Sequence, residues 1–168
     1  MSLSMYDASI PVLKRWLQNL AAILKKAEEH AAQRKIEPTV LINARLFPDM
    51  FPLSRQVQIA TDQAKGCAAR LAGIEIPKFE DTEASFDELQ ARIAKTIGFL
   101  DGIQAAQIDG SETRTIVLDL HGGAKKEFLG KDYLLTWVFP NFYFHVTTAY
   151  AILRHNGIDV GKKDYLGA

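Results

Sequence analysis

The chain has 168 residues, 48% of them hydrophobic and 24% charged, a composition typical of one globular domain, here residues 1–168. Lys plus Arg and Asp plus Glu both number 20 and are interleaved, so the basic surface that nucleic-acid binding requires is not expected. A single cysteine excludes an intramolecular disulfide. With no secretory signal and no apolar run of about 18 residues, we expect a cytoplasmic protein that does not cross a membrane.

The first predicted helix runs from Tyr6 or Ser9 to about Arg34. Its apolar residues recur three and four apart, which indicates one continuous buried seam. The members of this seam are Ile10, Leu13, Leu17, Leu20, Leu24, Ala27 and Ala31. A second apolar row that includes Trp16 widens the face, which suits contact with two neighbouring helices or with a second subunit.

The second predicted helix spans about Leu53 to Leu71, and Gly73 just beyond it is a typical C-terminal stop. Small residues dominate its seam, so a neighbouring helix can approach closely. Cys67 lies on that seam and is interpreted as a small buried residue, because no base is near it in sequence. Asp62 falls on the opposite face and is expected in solvent.

The third predicted helix begins at Thr82 or Ser85, and Glu88 stands where a capping box with Ser85 requires it. Its apolar seam consists of Phe86, Leu89, Ile93, Ile97, Leu100 and Ile103. Because this spacing continues past residue 100, the helix is expected to end only at Asp109-Gly110.

A small β-hairpin is predicted between the third and fourth helices. Residues 113–120 are rich in β-branched side chains and alternate apolar with polar positions. Gly122-Gly123 then offers a turn, and residues 125–129 can return as the second strand. Two strands alone are marginally stable, so the hairpin should lean on the helices.

The fourth predicted helix starts near Asp132, which can cap it, and ends at Asn156-Gly157. Its apolar stripe consists of Leu135, Val138, Phe142, His145, Val146, Ala149, Ile152 and Leu153. Pro140 lies inside this span, so a kink, or a break with a restart, is expected between Trp137 and Pro140. Together the four helices predict an all-α fold, an antiparallel up-and-down four-helix bundle with the hairpin inserted before the last helix.

The four histidines do not form a metal-binding pattern. None is three or four residues from another, and His145 and His155 are about 15 Å apart along one helix. We therefore predict no metal and no cofactor. His145 is interpreted as a neutral core histidine hydrogen-bonded to a neighbour, or else as a ligand-binding or proton-transfer group.

The last helix resembles that of the DinB/YfiT-like proteins, bacterial four-helix bundles that often bind a divalent metal through three histidines. Their helix typically carries His-x-x-His-His-Arg-Gly-Gln, followed by Leu-Arg and a glycine. Aligning that ending with Leu153-Arg154-x-x-Gly157 places His145 on the last histidine, with Asn141 and Phe144 on the other two. The second helix holds no histidine. The resemblance therefore implies the DinB-like fold over the whole chain, in an uncharacterised branch (a domain of unknown function) that lacks the metal set.

This resemblance leaves several functions open. The first is a small-molecule-binding or interaction protein, homodimeric, whose candidate ligand-binding residues are Asn141, His145, Gln63 and Trp137. The alternative is a DinB-like enzyme, either a thiol-dependent transferase or isomerase or a metal-assisted hydrolase, in which His145 and Asn141 polarise a substrate or water. The second-helix partners considered for that chemistry are Gln56, Gln63 and Asp62. A third is a structural or regulatory module that acts through its dimer face.

Overall fold

The computed structural model describes residues 3–168 as a helical bundle with one hairpin. Its helices and strands are α1 (Met5–Arg34), α2 (Pro38–Ile42), α3 (Leu53–Ala72), α4 (Phe86–Asp101), α5 (Ala105–Ile108), β1 (Thr115–Asp119), β2 (Lys125–Leu129), α6 (Gly130–Asp132), α7 (Phe139–His155) and α8 (Lys162–Leu166). A π-helical stretch, Tyr133–Val138, joins α6 to α7, and residues 130–155 are called the last helix below. Every helix within residues 3–168 is too short or too polar to serve as a membrane span.

The four long helices share one core, as the sequence predicts. The whole seam of α1 is buried, and the small residues along α3 are fully enclosed. These small side chains let α3 and α7 pack closely, and this pair forms the most extensive helix–helix interface of the bundle. The antiparallel bundle with an inserted hairpin is thereby confirmed.

Local capping signals define the helix ends, as predicted for Gly73 and for Ser85 with Glu88, whereas α1 begins at Met5, ahead of the predicted Tyr6 or Ser9. Ser4 accepts a hydrogen bond from the Asp7 N–H at the start of α1, and Gly73 ends α3 in the left-handed conformation, with φ of 69°. At α4, Ser85 and Glu88 form the predicted capping box. Backbone N–H groups, that of Ala84 first, lower the pKa of the Glu88 carboxyl.

The predicted end of the third helix is wrong. It stops at Asp101, and Gly102 closes a tight turn by donating to Phe99 O at 3.2 Å. Glycine weakens a helix interior, so the chain leaves the helix there. Ile103 is nevertheless buried, because the turn carries it back to the core before α5 begins.

The hairpin forms as predicted. β1 and β2 pair antiparallel, with Thr115 opposite Leu129 and Asp119 opposite Lys125. The turn between them uses positive φ at Gly122 and Gly123. Alternate β1 side chains, Ile116 and Leu118, are buried in the core, so the hairpin packs on the bundle.

The last helix begins earlier than predicted. Gly130 is its first residue, and Asp132 already has helical dihedral angles, so Asp132 is not the cap. A Cβ at position 130 would lie 2.0 Å from the carbonyl oxygen of Ser111. The absence of a side chain at Gly130 is therefore what lets the helix start against the segment before β1.

No break occurs before Pro140. Val138 and Phe139 keep helical dihedral angles, and the irregularity is instead the π-helical stretch, in which Phe139 N–H donates to Leu134 O, five residues back. Pro140 has no N–H to donate. In the wider π turn before it, backbone N–H groups bond to the carbonyl five residues back instead of four. As a consequence Leu134 is buried and Leu135, predicted on the apolar stripe, is 47% exposed.

Candidate ligand-binding site

Polar residues line the interface between α3 and the last helix at regular intervals. On α3, Gln56, Gln63 and Arg70 recur every seven residues, which is two helical turns or about 10 Å. The residues of the last helix that lie opposite them, in the same order, are His145, Trp137 and Tyr133. The antiparallel packing thus assembles three polar levels, and three of the four candidate residues belong to them.

His145 and Gln56 form the first level. Nδ1 of His145 is 2.7 Å from Oε1 of Gln56, whose Nε2 donates to Phe51 O at 3.0 Å. Because the Gln56 oxygen can only accept, His145 Nδ1 carries the hydrogen and Nε2 keeps its lone pair. Burial lowers the pKa of His145 to about 4, and the nearby Arg55 charge acts in the same direction. The ring is therefore neutral at pH 7.

These residues do not fit the divalent metal that is typical of the DinB/YfiT-like proteins. The α3 side chain that faces His145 is an amide, Gln56, already engaged on both of its polar atoms. Within residues 3–168, no three His, Cys, Asp or Glu side chains are grouped as metal ligands. At this level His145 has an engaged amide beside it and, in the described part of the chain, no second metal-binding side chain.

Asn141 lies on the last helix between Trp137 and His145. Its Nδ2 donates to Trp137 O at 2.6 Å, so its amide is engaged within its own helix. The side chain is half-buried. The five cavities described for this protein are lined by neither Asn141 nor His145.

Gln63 and Trp137 line one cavity of about 230 Å³, which we call the Trp137 cleft. It opens between α3, the end of β1 and the π-helical stretch. Its lining residues are Asp62, Gln63, Arg70, Leu118, Asp119, Leu120 and Trp137. The structure thus brings together two of the four candidate residues here, and it places His145 and Asn141 beyond the cleft.

Charged groups stand on both sides of the Trp137 cleft. Arg70 donates to the Tyr133 hydroxyl at 3.1 Å, and burial raises the pKa of Tyr133 to about 12, so the phenol is neutral. Within residues 3–168 no carboxylate is in ion-pair range of Arg70. Asp119 carries negative charge at the exposed mouth of the cleft, 3.6 Å from Lys125.

Two rings and one ammonium group form a corner beside the cleft. The ring centroids of Trp137 and Phe128 are 5.7 Å apart. Lys126 Nζ lies 5.1 Å from the Trp137 ring and 4.9 Å from the Phe128 ring, within cation–π range of both. We call these two rings the aromatic corner.

The expectation that Asp62 lies in solvent holds only in part. Its carboxylate is 2.7 Å from Lys65 Nζ and 2.8 Å from Arg92 Nη2, and its side chain is only 37% exposed. Arg92, itself buried, also binds Asp81 and Glu83 of the segment between α3 and α4. Sequence reasoning missed Arg92. Its position directly before Ile93, a residue of the apolar seam, could have indicated that it is buried.

Two wider clefts surround Phe79 in the segment that Arg92 holds. Their volumes are about 500 and 650 Å³, and the larger shares Asp62 and Arg70 with the Trp137 cleft. Ammonium groups of Lys65 and Lys95 each lie 4.1 Å from the Phe79 ring. This neighbouring surface extends the space available to a ligand held in the Trp137 cleft.

Cys67 is confirmed as a buried structural residue. It is fully enclosed in the α3 seam, and burial raises the pKa of its thiol to about 12. A thiol with that pKa holds almost no thiolate at neutral pH, so Cys67 is not a nucleophile.

Comparison with known proteins identifies a family and a solved structure to which this chain is similar. The model of a family described as Domain of unknown function (DUF1993) matches residues 5–166. A DinB family member protein from Shewanella denitrificans, whose crystal structure was solved at 1.83 Å resolution, is 44% identical, with a TM-score of 0.89. The structural match covers 97% of this chain and 92% of that chain. No curated protein matches the chain.

Proposed function

The chain belongs to the DUF1993 family of domains of unknown function, with a DinB-like fold, and from this we propose that it is a small-molecule-binding protein that works without a bound metal. The observation that carries the proposal is the Trp137 cleft. Gln63 and Trp137 reach it from two different helices, and both line the same cavity. Binding sites commonly combine apolar and aromatic walls with a few polar groups in this way.

The size of the cleft limits the ligand. About 230 Å³ is below the range of cavities that hold drug-sized molecules, so the cleft itself suits a ligand of few heavy atoms. The neighbouring cleft that shares Asp62 and Arg70 leaves room for a longer ligand to extend toward Phe79. Arg70 and Asp119 supply charges of both signs to orient it.

A thermal-shift screen tests this proposal. A true cleft ligand raises the Tm of the wild-type protein and of Gln18→Leu, a control on the exposed face of α1. The same compound leaves the Tm of Gln63→Leu and Trp137→Leu unchanged. If every stabilising compound acts equally on all four proteins, the ligand site lies elsewhere and the proposal is wrong.

The proposal that no metal is bound has its own test. It is supported by the amide of Gln56 facing His145, which provides no second imidazole or carboxylate. Metal content is measured on protein purified without a metal-affinity tag. Stoichiometric Zn, Ni or Mn that disappears in His145→Ala would contradict it.

A second candidate is an enzyme, a thiol-dependent transferase or isomerase or a metal-assisted hydrolase, using His145 and Asn141. The fixed Nδ1–H tautomer favours it, since a neutral ring with a free Nε2 lone pair is what a general base requires. The engagement of Asn141 with Trp137 O counts against a direct role for that amide. Consumption of glutathione or cysteine with an electrophile, abolished in His145→Gln, is the result expected of a thiol transferase.

We also propose a homodimer in the cytoplasm. Large apolar side chains are exposed on the connection after α2 and on α7, with Phe47 63% and Phe144 55% exposed. Leu46 and Phe144 line the same shallow apolar groove. Patches of this kind are typical of protein–protein contacts. Light scattering at micromolar concentration is expected to give twice the chain mass, and Phe144→Glu is expected to give monomers.

A further inference from the structure

Lys126 occupies the aromatic corner in an unusual way for a surface lysine. Its ammonium lies over both Phe128 and Trp137, and within residues 3–168 no carboxylate is close enough to form an ion pair with it. Lys125, the preceding residue, has Asp119 as such a partner. The position of the Lys126 ammonium is therefore set by the two ring faces.

Two aromatic faces that meet at an angle make a recognition site for ammonium groups. The planes of Phe128 and Trp137 are inclined at 53°, so a cation between them contacts both π faces. Proteins use such aromatic walls to bind quaternary and alkylated ammonium ligands. Lys126 stands on an exposed strand and has a flexible stem, so a ligand cation can displace it without unfolding the hairpin.

Arg70, which lines the Trp137 cleft together with Trp137, offers the complementary group. Arg70 uses one of its five N–H donors on Tyr133, and no carboxylate neutralises it among residues 3–168. Gly66 leaves the space that its guanidinium fills, because a Cβ there would be 2.6 Å from Arg70 Nη1. An uncompensated guanidinium lining a cavity is suited to a carboxylate.

We propose that the Trp137 cleft, together with the aromatic corner that shares Trp137 with it, binds a small zwitterion, an amino acid or betaine whose ammonium enters the corner and whose carboxylate meets Arg70. Lys126 is then an intramolecular competitor that occupies the ammonium position when the ligand is absent. This assignment rests on the proposed small-molecule function and names the chemical class of its ligand.

Glycine betaine is the probe that tests it, with tetramethylammonium and acetate as the two half-ligands. Trp16 and Trp137 are the two tryptophans of the chain, so Trp16→Phe makes fluorescence report on the cleft alone. Saturable binding of betaine is expected, with each half-ligand at least tenfold weaker. For variants that alter the surroundings of Trp137, isothermal titration calorimetry measures the binding affinity instead.

Lys126→Ala is the decisive variant, because a gain of affinity cannot come from misfolding. Removing a competing cation from two ring faces is expected to tighten betaine binding about three- to thirtyfold. Lys131→Ala, an exposed neighbour that loses the same charge, is expected to change nothing. Arg70→Gln is expected to weaken betaine binding while leaving tetramethylammonium unaffected.

The opposite results overturn the assignment. The zwitterion is excluded if betaine shows no saturable binding to either wild type or Lys126→Ala. It is also excluded if betaine binds Lys126→Ala no more tightly than it binds wild type. If acetate binds as well as betaine, the cleft is an anion site. A different ligand that depends on Gln63 and Trp137 leaves the proposed function standing while this inference fails, so the two failures are distinguishable.

Discussion

Nδ1 of His145 lies 2.7 Å from Oε1 of Gln56, a hydrogen bond that joins two helices 89 residues apart in sequence. The same glutamine donates to Phe51 O, so one buried amide, 1% exposed, connects α7, α3 and the segment before α3. The side chain that faces the histidine is therefore an amide with both polar atoms engaged, not a second imidazole or a carboxylate. The hydrogen bonds of Gln56 therefore hold three segments together and keep the His145 ring as a neutral base.

Protonation of His145 is expected to destabilise the fold. The pKa of the folded state, about 4, is below the ordinary value of 6.5, so the unfolded chain binds more protons between these limits. The contribution of the neutral ring is thus complete above about pH 6.5 and is lost as the pH falls toward 4. In urea unfolding, wild type should lose more stability between pH 7 and 4.5 than His145→Gln. His155→Gln, at an exposed position, should behave like wild type.

Replacing Gln56 by leucine should destabilise the protein by about 1–3 kcal/mol, since Phe51 O and His145 Nδ1–H would lose their partner in a buried place. Urea unfolding at pH 7 measures the free energy. Nitrogen chemical shifts of the His145 ring should report an Nδ1–H tautomer in wild type and a mixture in the variant. A ring that is unchanged in Gln56→Leu would contradict the role given to the amide. Gln18→Leu, on the exposed face of α1, should cost less than about 0.5 kcal/mol.

Arg92→Met should lower the free energy of unfolding by about 3 kcal/mol. The buried guanidinium holds three carboxylates, so removing it costs each of them an ion pair and leaves Glu83 with none within residues 3–168. The segment between α3 and α4 should then be cut faster in limited proteolysis. Arg154→Met is the matched control, because its ion pair with Asp159 is exposed and should contribute about 0–1 kcal/mol. Equal losses in both variants would show that the Arg92 network is not what fixes the segment.

Two glycines should respond to alanine in opposite directions. At Gly130 the new Cβ would meet Ser111 O at 2.0 Å, a backbone atom that cannot easily move, so a loss of about 1–3 kcal/mol is expected. At Gly98, within α4, nothing lies within 4 Å of the added Cβ, and alanine should stabilise the helix by about 1 kcal/mol. Thermal unfolding of both variants measures this. A loss at Gly98 similar to that at Gly130 would contradict the packing described at the start of the last helix.

Sequence reasoning succeeded where the signal was local. The capping box of Ser85 and Glu88 and the left-handed Gly73 depend on neighbours within four residues, so they could be predicted. The start of the last helix could not, because Gly130 is placed by a contact with Ser111 that the sequence does not show. Leu135 was wrongly predicted to be buried because a uniform period of 3.6 residues per turn was assumed, and the sequence does not reveal the π-helical stretch that interrupts it.

The candidate site could be predicted only in part. Apolar periodicity placed Gln63 on the second predicted helix and Trp137 on the fourth, and the packing of these helices, seen only in the structure, brings them to one cleft. The ion pairs of Asp62 could be predicted only in part, because Lys65 is on the same helix but Arg92 comes from another helix, 30 residues away. The aromatic corner likewise depends on how the hairpin packs on the bundle. The alternation of apolar and polar residues along a strand does not specify that Phe128 meets Trp137.

The π-helical stretch adds one residue to a turn of the last helix. The residues before it, including Tyr133 and the attached hairpin, are therefore rotated about the helix axis relative to the buried face of α7. Deleting one residue from positions 133–138 would allow regular α-helical pairing but would rotate everything before it by about 100°. Phe128 and Lys126 would turn away from Trp137, so the wider turn is what keeps the hairpin in register with the cleft wall.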